Sequence, residues 1–275
     1  MTLPQIQLLT SAAIVAAALL FLVLERRFPY NRGQKTWREG FLDDLVLYNF
    51  LQSFLLGLLI STMIAAIDAR TGLSRLRLIA GWPVWLQLAF FVVTHDFYIY
   101  WFHRWQHHSK YLWRLHEAHH SAAAVDWLSG VRSHAGEILI NQTVEFLPIV
   151  LLGAAPEVAL YKGAVSAIWG MYIHSNLDVR TGVLQFLLNG PEMHRWHHAN
   201  DPAAYNKNFA TKLAIWDWLF GTAYLPYNRK AKRYGLDYRF PKNYFRQLLF
   251  AFRKFEAPGP LPGTTEAHPS SGQGT

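Results

Sequence analysis

The chemistry this sequence could do rests on histidine. The chain of 275 residues carries 13 histidines, and 12 of them lie between His95 and His198. Most fall in three clusters. The first reads His103-Arg-Trp-Gln-His107-His108. The second reads His116-Glu-Ala-His119-His120 and the third His194-Arg-Trp-His197-His198, so the pattern H-x-x-H-H occurs twice. On a helix, positions i and i+4 share a face, which puts His103 and His107 together. Each triplet, at i, i+3 and i+4, is expected to present three imidazoles on one face as half of a metal site. Two triplets and a pair supply eight imidazoles, and His174 adds a ninth. One zinc ion usually takes four ligands, so this set suits two ions with open positions. Imidazole sites hold iron, zinc, copper or nickel. Ligand type therefore leaves the metal open, as spacing leaves open whether His107 or His108 is the ligand.

Carboxylates punctuate the same stretch. Asp96, Glu117, Glu137 and Asp178 are candidates to accept the second ring N–H of a ligating imidazole, the usual way such ligands are oriented. On a surface they would only be solvated. His134, in the string VRSHAGE, reads either as a ligand or as a partner of one. Two rival chemistries use the same residues. His116-Glu117-Ala118-His119-His120 spells H-E-x-x-H, in which His116 and His120 would hold one zinc and Glu117 would be the general base of an intramembrane protease. A single zinc leaves His119 and the third cluster without a role. A histidine-rich metal transporter would string its ligands along a membrane path, whereas these gather near helix ends.

The elements that must position these residues are apolar helices. Hydrophobic residues make up 52% of the chain and charged residues 16%, with 11 Trp, 13 Tyr and 18 Phe. This excludes a disordered chain, which needs high charge and few aromatics. The net charge of +8 then suits an anionic membrane surface, and no nucleic-acid partner is expected. The absence of cysteine excludes disulfides, thiolate zinc sites, iron–sulfur clusters and cysteine nucleophiles. Met1 to Leu24 carries no charged side chain, and a bilayer needs roughly 20 such residues. The basic cluster Arg26, Arg27, Arg32, Lys35 and Arg38 follows it, which predicts an uncleaved helix with a cytoplasmic loop. Leu45 to Ile67 predicts a second span. A third begins near Pro83 and carries the first cluster. Ile138–Leu152 and Lys162–Ile173 read either as a fourth and fifth membrane segment or as a short re-entrant hairpin turning at GAAPE, residues 153–157.

The expected fold is thus all-α, an integral membrane protein with about four transmembrane segments and a cytosol-facing helical domain holding a histidine-rich di-metal site. Residues 1–82 would be transmembrane helices and basic loop, 83–222 the histidine-rich catalytic region, 223–255 an amphipathic basic segment, and 256–275 a disordered tail containing His268.

The strings HDFYIYWFHRWQHH, LWRLHEAHHS, RSHAGE, IHSN, PEMHRWHHAND and IWDWLFGT, in this order, resemble the membrane fatty acid hydroxylase and sterol desaturase superfamily from about His95 to Thr222. The resemblance implies a cytosol-facing centre of two iron ions, with O2 as co-substrate, that hydroxylates or desaturates a lipid C–H bond. The ligands it implies are His103, His107 or His108, His116, His119, His120, His174, His194, His197 and His198. Where one branch of the family carries a second histidine four residues after His174, this chain has Asp178, implying a carboxylate ligand or a vacancy. The familiar Asn-Tyr-Gly reads Asn208-Phe209-Ala210. The sequence shows no cytochrome b5 segment, so the expected electron donor is a separate ferredoxin, or cytochrome b5 with its reductase. A bacterial inner membrane is expected rather than the endoplasmic reticulum.

Overall fold

Two helices are apolar on nearly every side. In the computed structural model, which describes residues 1–254, α1 spans Leu3–Arg27 and α2 Asp43–Thr71. Both are long and apolar enough to cross a membrane, with only 11% and 17% of their most apolar stretches buried. The core helix of a water-soluble protein would be covered. Here Leu8, Val15, Leu19 and Val23 of α1, and Phe54, Leu55 and Leu58 of α2, face outward. A bilayer is the environment that solvates such flanks.

The remaining helices are α3 (Val84–His108), α4 (Lys110–His120), α5 (Ala135–Leu151), α6 (Pro156–His174) and three short ones, α7 (Pro191–His197), α8 (Ile215–Leu219) and α9 (Tyr244–Phe250). The described residues contain no strand, only two isolated bridges. The fold is all-α, as the sequence implies. Among the described residues only α1 and α2 meet the length and composition of a span. The third predicted span, α3, carries His95, Asp96 and Arg104, and α5 and α6 carry Glu137, Glu145 and Lys162. The predicted tail, 256–275, and His268 lie outside the described residues.

α1 packs on α6 and α2 on α5, while α3 packs on α4, α5 and α6. Local signals set the junctions. The α3–α4 break is one residue, Ser109, whose hydroxyl caps α4 at the Leu112 N–H (3.4 Å). The α5–α6 turn needs Gly153: its φ is +68°, and a Cβ there would sit 2.7 Å from Arg77 Cα. Pro156 then opens α6. The predicted hairpin turn at 153–157 falls here.

The basic loop after α1 is partly internal. Arg38 is buried and pairs with Asp44 (2.7 Å) and Asp126 (2.6 Å), and Arg132 pairs with Asp44 (2.7 Å). Arg38 is therefore not a free surface cation. Removing one member of such a network strands a buried charge, at a cost of about 3–5 kcal/mol. The network also holds the segment before α5, which includes residues that support the histidines.

Candidate metal centre

Nine imidazoles converge where α3, α4, α6 and α7 end. They form two groups, His103, His107, His116, His120 and His197 in one, and His119, His174, His194 and His198 in the other. Within each group the facing ring nitrogens lie within 4.8 Å of one another. The triplets do not each form half of a site as expected. The outer pair His116 and His120 joins the first group while the middle His119 joins the second. In α7 the outer pair His194 and His198 joins the second group while His197 joins the first. Helix geometry explains the division: i+4 lies about 40° around the axis from i, and i+3 about 60° the other way.

The far nitrogen of most rings is held. His103 Nδ1 lies 2.7 Å from the Phe209 carbonyl, His119 Nδ1 3.1 Å from that of Arg132, His174 Nδ1 2.8 Å from that of Gly170, and His197 Nδ1 2.8 Å from that of Lys207. His116 Nδ1 meets the Glu137 carboxylate at 2.9 Å. A carbonyl only accepts, so each of these Nδ1 atoms carries the hydrogen and the Nε2 lone pair is bare. Those lone pairs face one another. His103 and His116 Nε2 are 3.0 Å apart and His119 and His174 3.2 Å; His194, whose Nδ1 is buried with no partner, turns its Nε2 to that of His174 at 2.9 Å. Nε2 of His107, His120 and His197 is buried with no partner. Facing lone pairs repel unless cations lie between them, so this donor set fits bound metal ions. Burial, and secondarily neighbouring imidazoles, pushes His116 and His119 down to about 3 and His120, His194, His197 and His198 well below their usual value. The rings are neutral and ready to ligate.

The structure separates the other candidates. His107 lies within the first group, whereas His108 is exposed and turns its Nδ1 to the Arg104 carbonyl at 2.7 Å. Glu137 orients His116. Asp96 is fully buried but holds a loop, accepting from Thr211 Oγ1, the Lys212 and Leu213 N–H groups and Trp216 Nε1 at 2.8–3.0 Å. Glu117 takes two hydrogen bonds from Arg253, at 2.9 and 2.8 Å, so it is not poised as the base the protease reading requires. His134 caps α5, accepting from Gly136 N–H and donating to the Leu248 carbonyl, each at 3.0 Å. Asp178 is exposed and pairs with Lys230 at 2.7 Å, away from both groups.

Other supports escaped the sequence reading. A Cβ on Gly130 would lie 2.5 Å from His174 Nδ1, so that ring needs the missing side chain. Asp217 accepts from the Phe209 and Ala210 N–H groups at 2.8 and 2.9 Å, fixing the carbonyl that holds His103. Its place in IWDWLFGT was the available signal. Two cavities reach the histidines. One of about 440 Å³ touches His107, His120, His197 and His198 beside Trp113 and Tyr238. The other, about 230 Å³, lies between α3, α5 and α6 and touches His103, His116, His119, His174 and His194.

A sequence model of the fatty acid hydroxylase family matches residues 88–222, the stretch that carries all nine converging histidines. The chain belongs to the fatty acid hydroxylase superfamily. It is 35% identical over 173 residues to an ornithine lipid hydroxylase of Rhizobium tropici, covering 63% of this chain and 52% of that one. It is 31% identical to human alkylglycerol monooxygenase over 57% of this chain and 34% of that protein. To methylsterol monooxygenase 1 of Rattus norvegicus it is 30% identical, over 52% and 49% respectively. The chain thus spans about half or less of the length of these relatives. No solved structure matches it. In the Asn208-Phe209-Ala210 segment, Asn208 adopts a φ of +59°, and Phe209 is fully buried against His103, His107 and His197.

Proposed function

We propose that this chain is a di-iron membrane oxygenase that hydroxylates a lipid C–H bond with O2. The observation that carries the reading is the set of bare Nε2 atoms facing one another in two adjoining groups. Iron is chosen over zinc because an alkyl C–H bond has no polar handle for acid–base chemistry. The metal centre would supply oxygen activation, and the protein supplies binding, orientation and electrostatics. Reducing O2 takes four electrons; the C–H bond provides two, and an external donor, a ferredoxin or cytochrome b5 with its reductase, provides the rest. Hydroxylation is favoured over desaturation because the three relatives are named hydroxylase or monooxygenase. Their names share lipid substrates, which suits a cavity walled by α3, α5 and α6.

The chain's own part is positional. Four backbone carbonyls and Glu137 fix the tautomers, and the helices keep the rings away from water. In this reading α1 and α2 cross the bilayer, α3 and the α5–α6 hairpin enter it, and the histidine layer faces the cytosol. The bacterial relative shares the higher identity over the longer stretch, which favours a bacterial inner membrane. The test is metal analysis and turnover of the purified protein in lipid. Two iron ions per chain, and product that needs both O2 and a reductase system, are expected. One ion per chain, or product under anaerobiosis, overturns the reading.

A further inference from the structure

Two basic segments far apart in the chain meet beside the third histidine cluster. Tyr30 Oη accepts from the Ala231 N–H at 2.7 Å, across 201 residues, and Asn31 donates to Tyr234 at 3.3 Å. Tyr234 forms an isolated bridge with Ala199, and the Asn200 N–H donates to the Arg233 carbonyl at 2.8 Å. Residues 228–234 are thereby laid along the chain that leaves α7. The junction sits past the ends of α1 and α6, which meet at the Pro29–Leu177 bridge, on the side assigned to the cytosol.

This face carries more positive charge than its own acids balance. A groove of about 380 Å³ is walled by residues 199–201 and 228–233. Lys232 is shared with a second, open cleft that includes Arg32 and Lys35. Arg229 pairs with Asp201 (2.5 Å), Lys230 with Asp178 (2.7 Å), and Glu39 of the cleft with Lys242 (2.5 Å). Arg38 is matched by Asp44 and Asp126. Arg32, Lys35, Lys232 and Arg233 are exposed, and among the described residues none of the four has an ion pair. Asp237, which shares the neighbourhood of Tyr205 with Arg233, offsets one of them at most. Exposed cations need no counterion for stability, but several in adjoining grooves focus a field that attracts an acidic surface.

Position gives that field a use. Ala199 and Asn200 also wall the cavity of about 440 Å³ that touches His197 and His198. Asn200 is two residues from His198, at most about 7 Å of extended chain. Arg229 lies 5.5 Å over the ring of Trp196, the residue before His197. Arg26 and Arg27, in the last turn of α1, already stand where lipid headgroups lie.

We infer that this basic face is the docking surface of the electron donor, a small acidic protein that carries a one-electron centre and brings it over His197 and His198. The need for a donor rests on the oxygenase reading. Per turnover two reduced donors each give up one electron. With two protons from water, these electrons convert one O2 and one C–H bond into one hydroxyl group and one H2O. Electron-transfer encounters bury less than about 1,200 Å², so such a face works through attraction and orientation more than through contact area.

The test is binding of an acidic [2Fe–2S] ferredoxin, and of the acidic soluble domain of cytochrome b5, to the full-length, metal-loaded protein in phosphatidylcholine nanodiscs. It is run at about 0.1 M and about 1 M salt, where exposed charges are screened over about 10 and 3 Å. At least one donor should bind at the lower salt and lose about tenfold or more in affinity at the higher. Lys232→Glu with Arg233→Glu should slow association, weaken binding about tenfold at the lower salt and flatten the salt dependence. Arg70→Glu with Arg75→Glu, the same change in net charge at the far end of α2, should leave binding as it is. Metal content and melting temperature report that each variant is intact, and the milder Lys232→Gln with Arg233→Gln should shift binding in the same direction. Absent or salt-independent binding by the wild type, or equal loss in the two charge-reversed variants, overturns the proposal. So does unchanged donor binding by Lys232→Glu with Arg233→Glu; loss of bound phosphatidylglycerol from that variant, counted by native mass spectrometry, would then mark a lipid site. Dependence of product on O2, measured on the same samples, reports separately on the oxygenase reading.

Discussion

The two H-x-x-H-H triplets are spelled alike and used in opposite senses. In α4 the outer pair His116 and His120 meets His103 and His107, and the middle His119 reaches across to His174. In α7 the outer pair His194 and His198 meets His174, and the middle His197 reaches back to the first group. The difference follows from what each helix packs against. α4 is joined to α3 through Ser109 alone, so its outer pair faces the pair on α3. α7 is fastened to the end of α6 by Arg195, a buried guanidinium that donates to the Ser175 and Leu177 carbonyls at 2.5 and 3.2 Å and lies 3.8 Å over the Tyr30 ring. The residue after the first histidine marks the contrast. Arg195 anchors α7 from within, whereas Glu117 receives Arg253 from the C-terminal segment. Identical motifs thus give a five-histidine group and a four-histidine group.

Removing a middle histidine should have the largest effect and expose the asymmetry. His119→Ala leaves three histidines in the second group, and His197→Ala leaves four in the first. Turnover should fall more than about 100-fold in both, beyond what loss of a ligand's hydrogen-bond partner costs. Metal analysis should show His119→Ala losing one of two ions and His197→Ala losing less. Equal metal loss in the two variants would erase the distinction drawn between the groups. Next in size, Gly130→Ala should act on the four-histidine group alone, because its Cβ collides with His174. A drop of about 10–100-fold in metal affinity at one of two sites is expected, read by chelator competition. Glu137→Gln should touch only the five-histidine group and less severely, by about tenfold, because the amide oxygen still accepts from His116 Nδ1.

Acid tests both groups at once. In the chelator-treated protein His116 and His119 titrate at about 3, against about 6.5 in an unfolded chain. Between these values the unfolded state binds more protons. Stability is therefore complete above about pH 6.5 and is lost as pH falls toward 3, by up to about 1.4 kcal/mol per unit for each ring. Thermal melts should decline from neutral to about pH 5, and a melting point that rises on acidification would contradict the neutral-ring assignment. Smallest of all, Glu117→Gln should weaken the tie to Arg253 and change turnover by no more than a few-fold. Abolished turnover with one bound zinc would instead restore the protease reading.

Much of this centre is legible in residue types and spacing. Histidine spacing marks the two triplets and the pair on α3, since i, i+3 and i+4 positions must lie near one another on any helix, and the absence of cysteine removes thiolate ligands. Long uncharged runs give α1 and α2, because no water-exposed helix tolerates such flanks. The all-α class follows from the same periodicities. Spacing is silent on what lies across a helix. It could not choose His107 over His108, keep Asp178 on the surface, or assign His134 to a helix cap, because each depends on the direction a side chain takes once its helix is docked. Nor could it split the triplets between two groups, place Gly130 beneath His174, or bring Ala231 to Tyr30, 201 residues away in the chain. Those are contacts between distant segments. Local sequence determines which groups a helix can present, and only the packing of helices against one another decides what they meet.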